Sequence, residues 1–260
     1  MKQFILVILL SACASALGAE QAREGQEKSF LPPPSQSATE QQWQSYLLQA
    51  QSAVASAKAK SAKVDSPVNE SLVKGPAIVP EMVRVPGKDY EIGKYEVTQA
   101  EWVSVMGNNP SKFKNCGDTC PVERVSWDDI QIYIQRLKEK TGKQFRLPTG
   151  AEWEYACYGG IQSEFCGGDN VDPVAWTDDN AKDTTHPVGQ KKANGYGLYD
   201  MSGNVMEWTN DCWEGNCAQR VFRGGSWMNY SRDGRVSYRI RFNTSIRNFT
   251  GGFRLVRKIP

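Results

Sequence analysis

Asn194-Gly195-Tyr196-Gly197-Leu198-Tyr199-Asp200-Met201-Ser202-Gly203-Asn204-Val205-Met206-Glu207-Trp208, followed by Arg223-Gly224-Gly225-Ser226-Trp227, carries the strongest structural signal in the chain. Glycines set among Tyr and Trp suit a loop-heavy fold anchored by large aromatics, and a 260-residue chain allows one sizeable domain of this kind plus extensions. The chain beyond the second motif matters as much. The last cysteine is Cys217, so Ser226 to Pro260 contains no thiol. Gly224-Gly225 and Gly251-Gly252 lack the strand-then-helix context and the spacing of a phosphate-binding loop.

Working outward, further segments stand in a fixed order. They are Tyr90-Glu91-Ile92-Gly93-Lys94-Tyr95-Glu96-Val97-Thr98, Pro121-Val122-Glu123-Arg124-Val125-Ser126-Trp127, Arg146-Leu147-Pro148-Thr149-Gly150-Ala151-Glu152-Trp153-Glu154-Tyr155 and, last, Gly251-Gly252-Phe253-Arg254-Leu255-Val256-Arg257. Taken together and in order, these motifs resemble the formylglycine-generating enzyme (sulfatase-modifying factor) family. The resemblance covers residues 75–260 and implies an α+β fold, a variant of the C-type lectin fold with little regular secondary structure, short helices and a small mixed sheet.

The same resemblance carries chemistry. Catalytic members bind copper through two cysteines that fall where Asn229 and Gly234 stand here, so the expectation is a kept scaffold without the oxidase reaction and without copper. Ser226 corresponds to an active-site serine of the family but would have no oxygen to position. A related branch holds iron with several histidines, whereas His186 is the single histidine of this chain; neither that iron site nor a Ser-His-Asp hydrolase is expected. The alternative is an oxidase with unfamiliar ligands.

Calcium is the inheritance expected to survive. The resemblance implies a site in which Asp200 and Glu207 give carboxylate oxygens and Gly203 and Val205 give backbone carbonyls, a hard oxygen set suited to calcium. A second site would begin at Asn180 and the backbone of Ala181, with Asp183 as a further carboxylate. Its loop is short, ending at His186-Pro187-Val188. A hydrogen-bonded turn without metal is the competing reading of both loops. The family's peptide groove maps onto Trp227, Met228, Asn229, Tyr230 and Arg232, and aromatic and arginine side chains are the types that dominate protein interfaces. Burial of Trp227 and Tyr230 in the core is the alternative.

The N-terminus reads as an export signal over residues 1–19, with Lys2 at the positive end and Phe4 to Leu10 as the apolar stretch. Leu10-Ser11-Ala12-Cys13 also fits a lipobox, which would make Cys13 an acylated first residue. Residues 20–74 form a Pro-containing linker and helical spacer: Pro32-Pro33-Pro34 opens an extended stretch, and Thr39 to Lys63 carries Trp43, Leu47, Ala50 and Val54 at helical spacing. The stripe could pack on its own domain, dock on a partner or stay partly frayed.

Setting Cys13 aside, the cysteines fall in local couples, Cys116 with Cys120, Cys157 with Cys166 and Cys212 with Cys217. In an exported chain this spacing suggests short-loop disulfides that pin surface loops. Zinc at Cys116 and Cys120 would lack a second ligand pair.

A net charge of +2, with no basic block, gives no argument for nucleic acid. The layout of signal, helical spacer and one such domain resembles the TagR-type periplasmic regulators of type VI secretion. It implies an envelope protein partner, either the periplasmic part of a membrane kinase or an outer-membrane lipoprotein, with membrane association only through that partner or through Cys13. Gliding-motility lipoproteins share the domain and are the alternative.

Helix starts are written in the caps. Thr98-x-x-Glu101 and Thr149-x-x-Glu152 read as full capping boxes and Ser126-x-x-Asp129 as a side-chain N-cap with an acid three residues on. Gly142 reads as a C-terminal glycine, and Ile130, Tyr133, Ile134 and Leu137 as the core stripe of the middle helix.

Overall fold

The computed structural model describes residues 76–259. The expected signal, the lipobox cysteine and the spacer helix lie outside the described residues.

Helices α1 (Gln99–Met106), α2 (Trp127–Thr141) and α3 (Gly150–Tyr158) begin one residue after Thr98, Ser126 and Thr149. All three caps are reciprocal boxes. The Ser126 hydroxyl accepts from Asp129 N–H at 3.1 Å and Asp129 Oδ2 accepts from Ser126 N–H at 3.0 Å, so the shorter acid also reaches back. Arg247 holds the same carboxylate from outside with two bonds of 2.7 Å. Each helix ends on a glycine in the left-handed region, Gly107, Gly142 and Gly159, where a Cβ would be strained.

The strands are short. β1 (Met82–Arg84), β2 (Tyr90–Gly93) and β9 (Val256–Lys258) form an antiparallel sheet with β2 central, which brings the last motif beside the first. β3 (Ala175–Trp176) and β4 (Ser202–Gly203) make a parallel pair. β5 (Met206–Trp213), β6 (Asn216–Arg223), β7 (Arg239–Asn243) and β8 (Gly251–Gly252) form a mixed sheet in the order β7-β6-β5-β8, with β5 and β8 parallel. Small mixed sheets, short helices and long irregular connections are the α+β architecture expected.

The main core lies between α1, α2 and the mixed sheet. Ile130, Tyr133 and Leu137 are fully buried against Trp102, Trp208, Phe222 and Phe253, while Ile134 is only partly covered at the edge. Trp102 stacks on Tyr133 with centroids 5.1 Å apart, and Phe253 meets Tyr133 edge-on at 5.5 Å. Such pairs add about 0.5–1.5 kcal/mol beyond their burial. A second core gathers Trp153, Leu198, Met201 and Ile92 under α3. The disulfides join Cys116 to Cys120, Cys157 to Cys166 and Cys212 to Cys217. That pairing replaces the zinc reading at Cys116 and suits an oxidising compartment outside the cytoplasm. No helix among the described residues is long and apolar enough to cross a membrane.

Candidate functional site

The Asp200–Glu207 loop is buried and densely charged. Asp200, Glu207, Glu96 and Arg254 are all at most 2% exposed. Gly203, with φ +80°, lies so close to the Trp176 backbone that a side chain there would collide with it. Glu207 Oε1 accepts from Arg254 Nε and Nη2 at 2.9 and 2.7 Å, and Oε2 accepts from Arg254 Nε and Trp153 Nε1 at 2.8 and 2.7 Å. The Arg254 guanidinium also donates to the carbonyls of Gly93 and Tyr199 at 2.9 and 2.8 Å, tying three motifs together. Glu96 accepts from Asn204 Nδ2 and Val205 N–H at 2.7 and 2.9 Å.

Sequence reading missed both Arg254 and Glu96. Each sat in a quoted motif, and the signal was an arginine and an acid inside runs otherwise suited to a core. Burial, and after it the charges of Asp200 and Glu207, raises Glu96 well above the ordinary carboxylate range. Asp200 is pushed up to about 6, first by burial, with the Gly189 N–H bond at 2.7 Å pulling the other way.

These features bear on calcium in two ways. Glu207, expected as a ligand carboxylate, is held by a guanidinium, so Arg254 supplies cationic charge where the ion was expected. Asp200 Oδ1, in contrast, is buried with no hydrogen-bond partner. An added cation at Asp200 Oδ1 would answer the orphan oxygen of this buried carboxylate. Asp200 Oδ1 is one hard oxygen donor, and no group of three or more His, Cys, Asp or Glu side chains among the described residues is arranged as a metal site.

At the second expected site the ligand atoms are engaged otherwise. Asn180 Oδ1 accepts from Thr177 N–H at 3.0 Å, and its Nδ2 donates to Asp172 Oδ1 and the Ala175 carbonyl. The Ala181 carbonyl meets His186 Nε2 at 2.8 Å, and Asp183 is exposed. These contacts have the form of a hydrogen-bonded turn. His186 stacks on Trp176 at 3.7 Å, a loop histidine with a packing role.

The segment after Arg223-Gly224-Gly225 turns sharply. Gly224 and Gly225 have φ of +87° and +69°, and a Cβ on either would press on the backbone of Met201 or Asp233. Ser226 is fully buried and its hydroxyl donates to Asn229 Oδ1 at 2.7 Å. Asn229 N–H returns to the Ser226 carbonyl at 3.0 Å, and its own carbonyl accepts from Asp178 N–H. Ser226 and Asn229 therefore lock one turn. Gly234 is buried, and its carbonyl accepts from Ser202 Oγ at 2.7 Å.

Of the residues expected on a partner surface, Trp227 must be corrected. It is 4% exposed, packed edge-on against Phe113 at 5.2 Å and near Phe249. Tyr230 and Met228 are exposed at 62% and 55%, and the Arg232 guanidinium covers the Tyr230 ring at 5.0 Å. Asn229 is half-buried between them. The available surface is Met228, Tyr230 and Arg232, carried on the rigid turn below.

Comparison with known proteins agrees with this geometry. The model of the sulfatase-modifying factor enzyme 1-like domain matches residues 39–259, beginning within the segment read as spacer. A Paenibacillus barcinonensis protein named chaperone protein LppX is 37% identical over 229 residues, covering 65% of this chain and 80% of its own length. A Bos taurus protein named inactive C-alpha-formylglycine-generating enzyme 2 is 37% identical over 142 residues, 49% of this chain, and the match spans 45% of that relative's length. Among solved structures, Treponema denticola variable protein 1 superposes with a TM-score of 0.60 at 28% identity, covering 71% of this chain and 93% of its own. In sequence over most of its length and in fold over its described residues, this chain belongs to the formylglycine-generating enzyme (sulfatase-modifying factor) family.

Proposed function

We propose that this protein is a non-catalytic binding protein of the bacterial envelope, residing in the periplasm and acting by protein–protein contact. The observation that carries the reading is the segment from Ser226 to Gly234. It holds no thiol, its serine is engaged by Asn229, and it presents Met228, Tyr230 and Arg232 to solvent. Soft copper ligands are lacking along all of Ser226 to Pro260, which argues against oxygen activation by the family's route. A relative named as inactive and another named as a chaperone support a role in binding.

The finer reading is regulation of type VI secretion through a kinase-linked pathway, with the periplasmic part of a membrane kinase or an outer-membrane lipoprotein as partner. It rests on the layout of signal, spacer and domain. Calcium at Asp200 Oδ1 belongs to the same proposal, in a structural role.

Pull-down from envelope extracts tests it. The exported protein should recover a specific envelope partner, and Tyr230→Ala with Arg232→Ala should weaken recovery without lowering Tm. Recovery that survives those substitutions but is lost on deletion of residues 39–63 would move the binding element to the spacer and overturn the assignment of the surface. Calcium should raise Tm in proportion to RT ln(1 + [L]/Kd), and Asp200→Ala should abolish the rise; equal Tm in calcium and in chelator would rule out a stabilising ion at this loop.

A further inference from the structure

β7 stands at the end of the mixed sheet, paired to β6 on one side over its whole length. Thr244 N–H donates to the Ala218 carbonyl at 3.1 Å. The alternation of an antiparallel ladder then turns the backbone groups of Phe242 and Ile240 toward β6 and those of Arg239 and Arg241 away from it, where no strand among the described residues pairs with them. The Asn243 carbonyl accepts from Ile246 N–H, which closes the far end of the edge.

The side chains of this edge are patterned. Arg239, Arg241 and Asn243 are exposed, while Ile240 and Phe242 are half-buried and pack on the main core. Arg239 and Arg241 lie over the ring of Trp213 at 5.0 and 4.8 Å, at the end of the hairpin that the Cys212–Cys217 disulfide ties. Arg239 is also opposite Arg223 in register, a third positive charge. Arg223 has Glu154 at 2.6 Å, whereas Arg239 and Arg241 have no carboxylate partner among the described residues. Charged side chains on an edge strand can serve to block pairing with another chain. Here both guanidiniums lie over one aromatic ring, with no carboxylate partner among the described residues, beside backbone groups that no described strand pairs.

We infer that the β7 edge binds an extended segment of a partner protein that alternates acidic and apolar residues, adding it as a further strand. In an added strand, alternate side chains share one face and recur about every 6.5–7 Å. Acids on one face would lie across from Arg239 and Arg241, and apolar residues on the other would cover Ile240 and Phe242. Main-chain bonds would give affinity and the arginines the choice of partner. This surface is separate from Met228, Tyr230 and Arg232, and the inference does not depend on the role assigned to them.

The test uses fluorescence anisotropy with the full exported chain and a labelled peptide Ser-Glu-Val-Glu-Val-Glu-Ser. The peptide should bind, and binding should fall at least about tenfold, or about 1.4 kcal/mol, in an Arg239→Ala, Arg241→Ala double variant of unchanged Tm. N-methylation of alternate peptide amides should abolish binding, and Arg239→Glu with Arg241→Glu should switch preference to the Lys-Val counterpart. Equal binding of a peptide with its glutamates clustered, or of dextran sulfate or phosphatidylglycerol vesicles, would make the edge a general anion surface and overturn the inference. So would no binding of the alternating peptide at about 1 mM.

Discussion

Arg254 is the residue on which the buried centre depends, because its guanidinium answers Glu207 and bridges to the carbonyls of Gly93 and Tyr199. Burial alone would disfavour its charge, and Glu207 more than restores it. Removing one partner of such a pair leaves an uncompensated buried charge, at a cost of about 3–5 kcal/mol. Arg254→Met should therefore unfold at much lower denaturant, while a double change of Arg254→Met with Glu207→Gln should recover part of the loss. Denaturant titration measures both, and additive losses would show that the pair is not coupled.

Glu123 gives a pH prediction at the same scale. It is fully buried, with Oε1 accepting from Phe113 N–H at 2.8 Å and Oε2 without a partner, and burial pushes its carboxyl up to about 7. The folded state holds this proton after the unfolded state, with its ordinary value of 4.5, has released it. The contribution of Glu123 to stability is thus present below that value and is lost as pH rises toward 7. Glu123→Gln should gain in Tm relative to the unmodified protein between pH 5 and pH 8. A difference that stays constant over that range would show that Glu123 does not titrate in the folded state.

Among the elements, the caps and the disulfides were the most legible in sequence because their partners lie within a few residues of one another. The one departure was Ser126-x-x-Asp129, where an acid one methylene shorter than Glu still closes the box. Ser126→Ala should cost about 0.5–2 kcal/mol, and the corresponding fall in Tm is about 2–4 °C per kcal/mol for a domain of this size. Asp129→Ala should cost more, since it also removes the carboxylate held by Arg247; differential scanning calorimetry ranks the two, and the reverse order would contradict this role for the cap. The sheets were far less legible. β3, β4 and β8 are two residues long, too short for any alternation to show, and their glycines make room for neighbours: Gly203 for the Trp176 backbone, Gly251 for the Phe222 ring and Gly252 for the Val122 carbonyl. The β7 arginines carried no signal in sequence either, since their meaning depends on Trp213 arriving from another strand.

Across the whole molecule, the order of motifs led to the fold, and four of the six motifs supply the walls of the buried centre: Glu96 from the first, Trp153 from the third, Asp200 and Glu207 from the fourth and Arg254 from the last. What could not be read was how those charges share the space. A carboxylate pair on one loop does not reveal that an arginine from the distant β8–β9 connection holds one of its members. Trp227 illustrates the same limit, since an aromatic beside a glycine turn reads alike whether it faces a partner or, as here, Phe113. Tyr230 and Arg232 are exposed, as a partner surface requires, whereas Trp227 is buried.

Above all, the scaffold has kept its fold and, on the function proposed, given up the oxidase reaction. The most direct measurement incubates the purified chain with Cu(I), oxygen and a cysteine-containing sulfatase peptide, and follows the peptide by mass spectrometry. The cysteine peptide should emerge unchanged; an aldehyde-mass product that disappears in a Ser226→Ala variant of unchanged Tm would contradict the loss of the reaction.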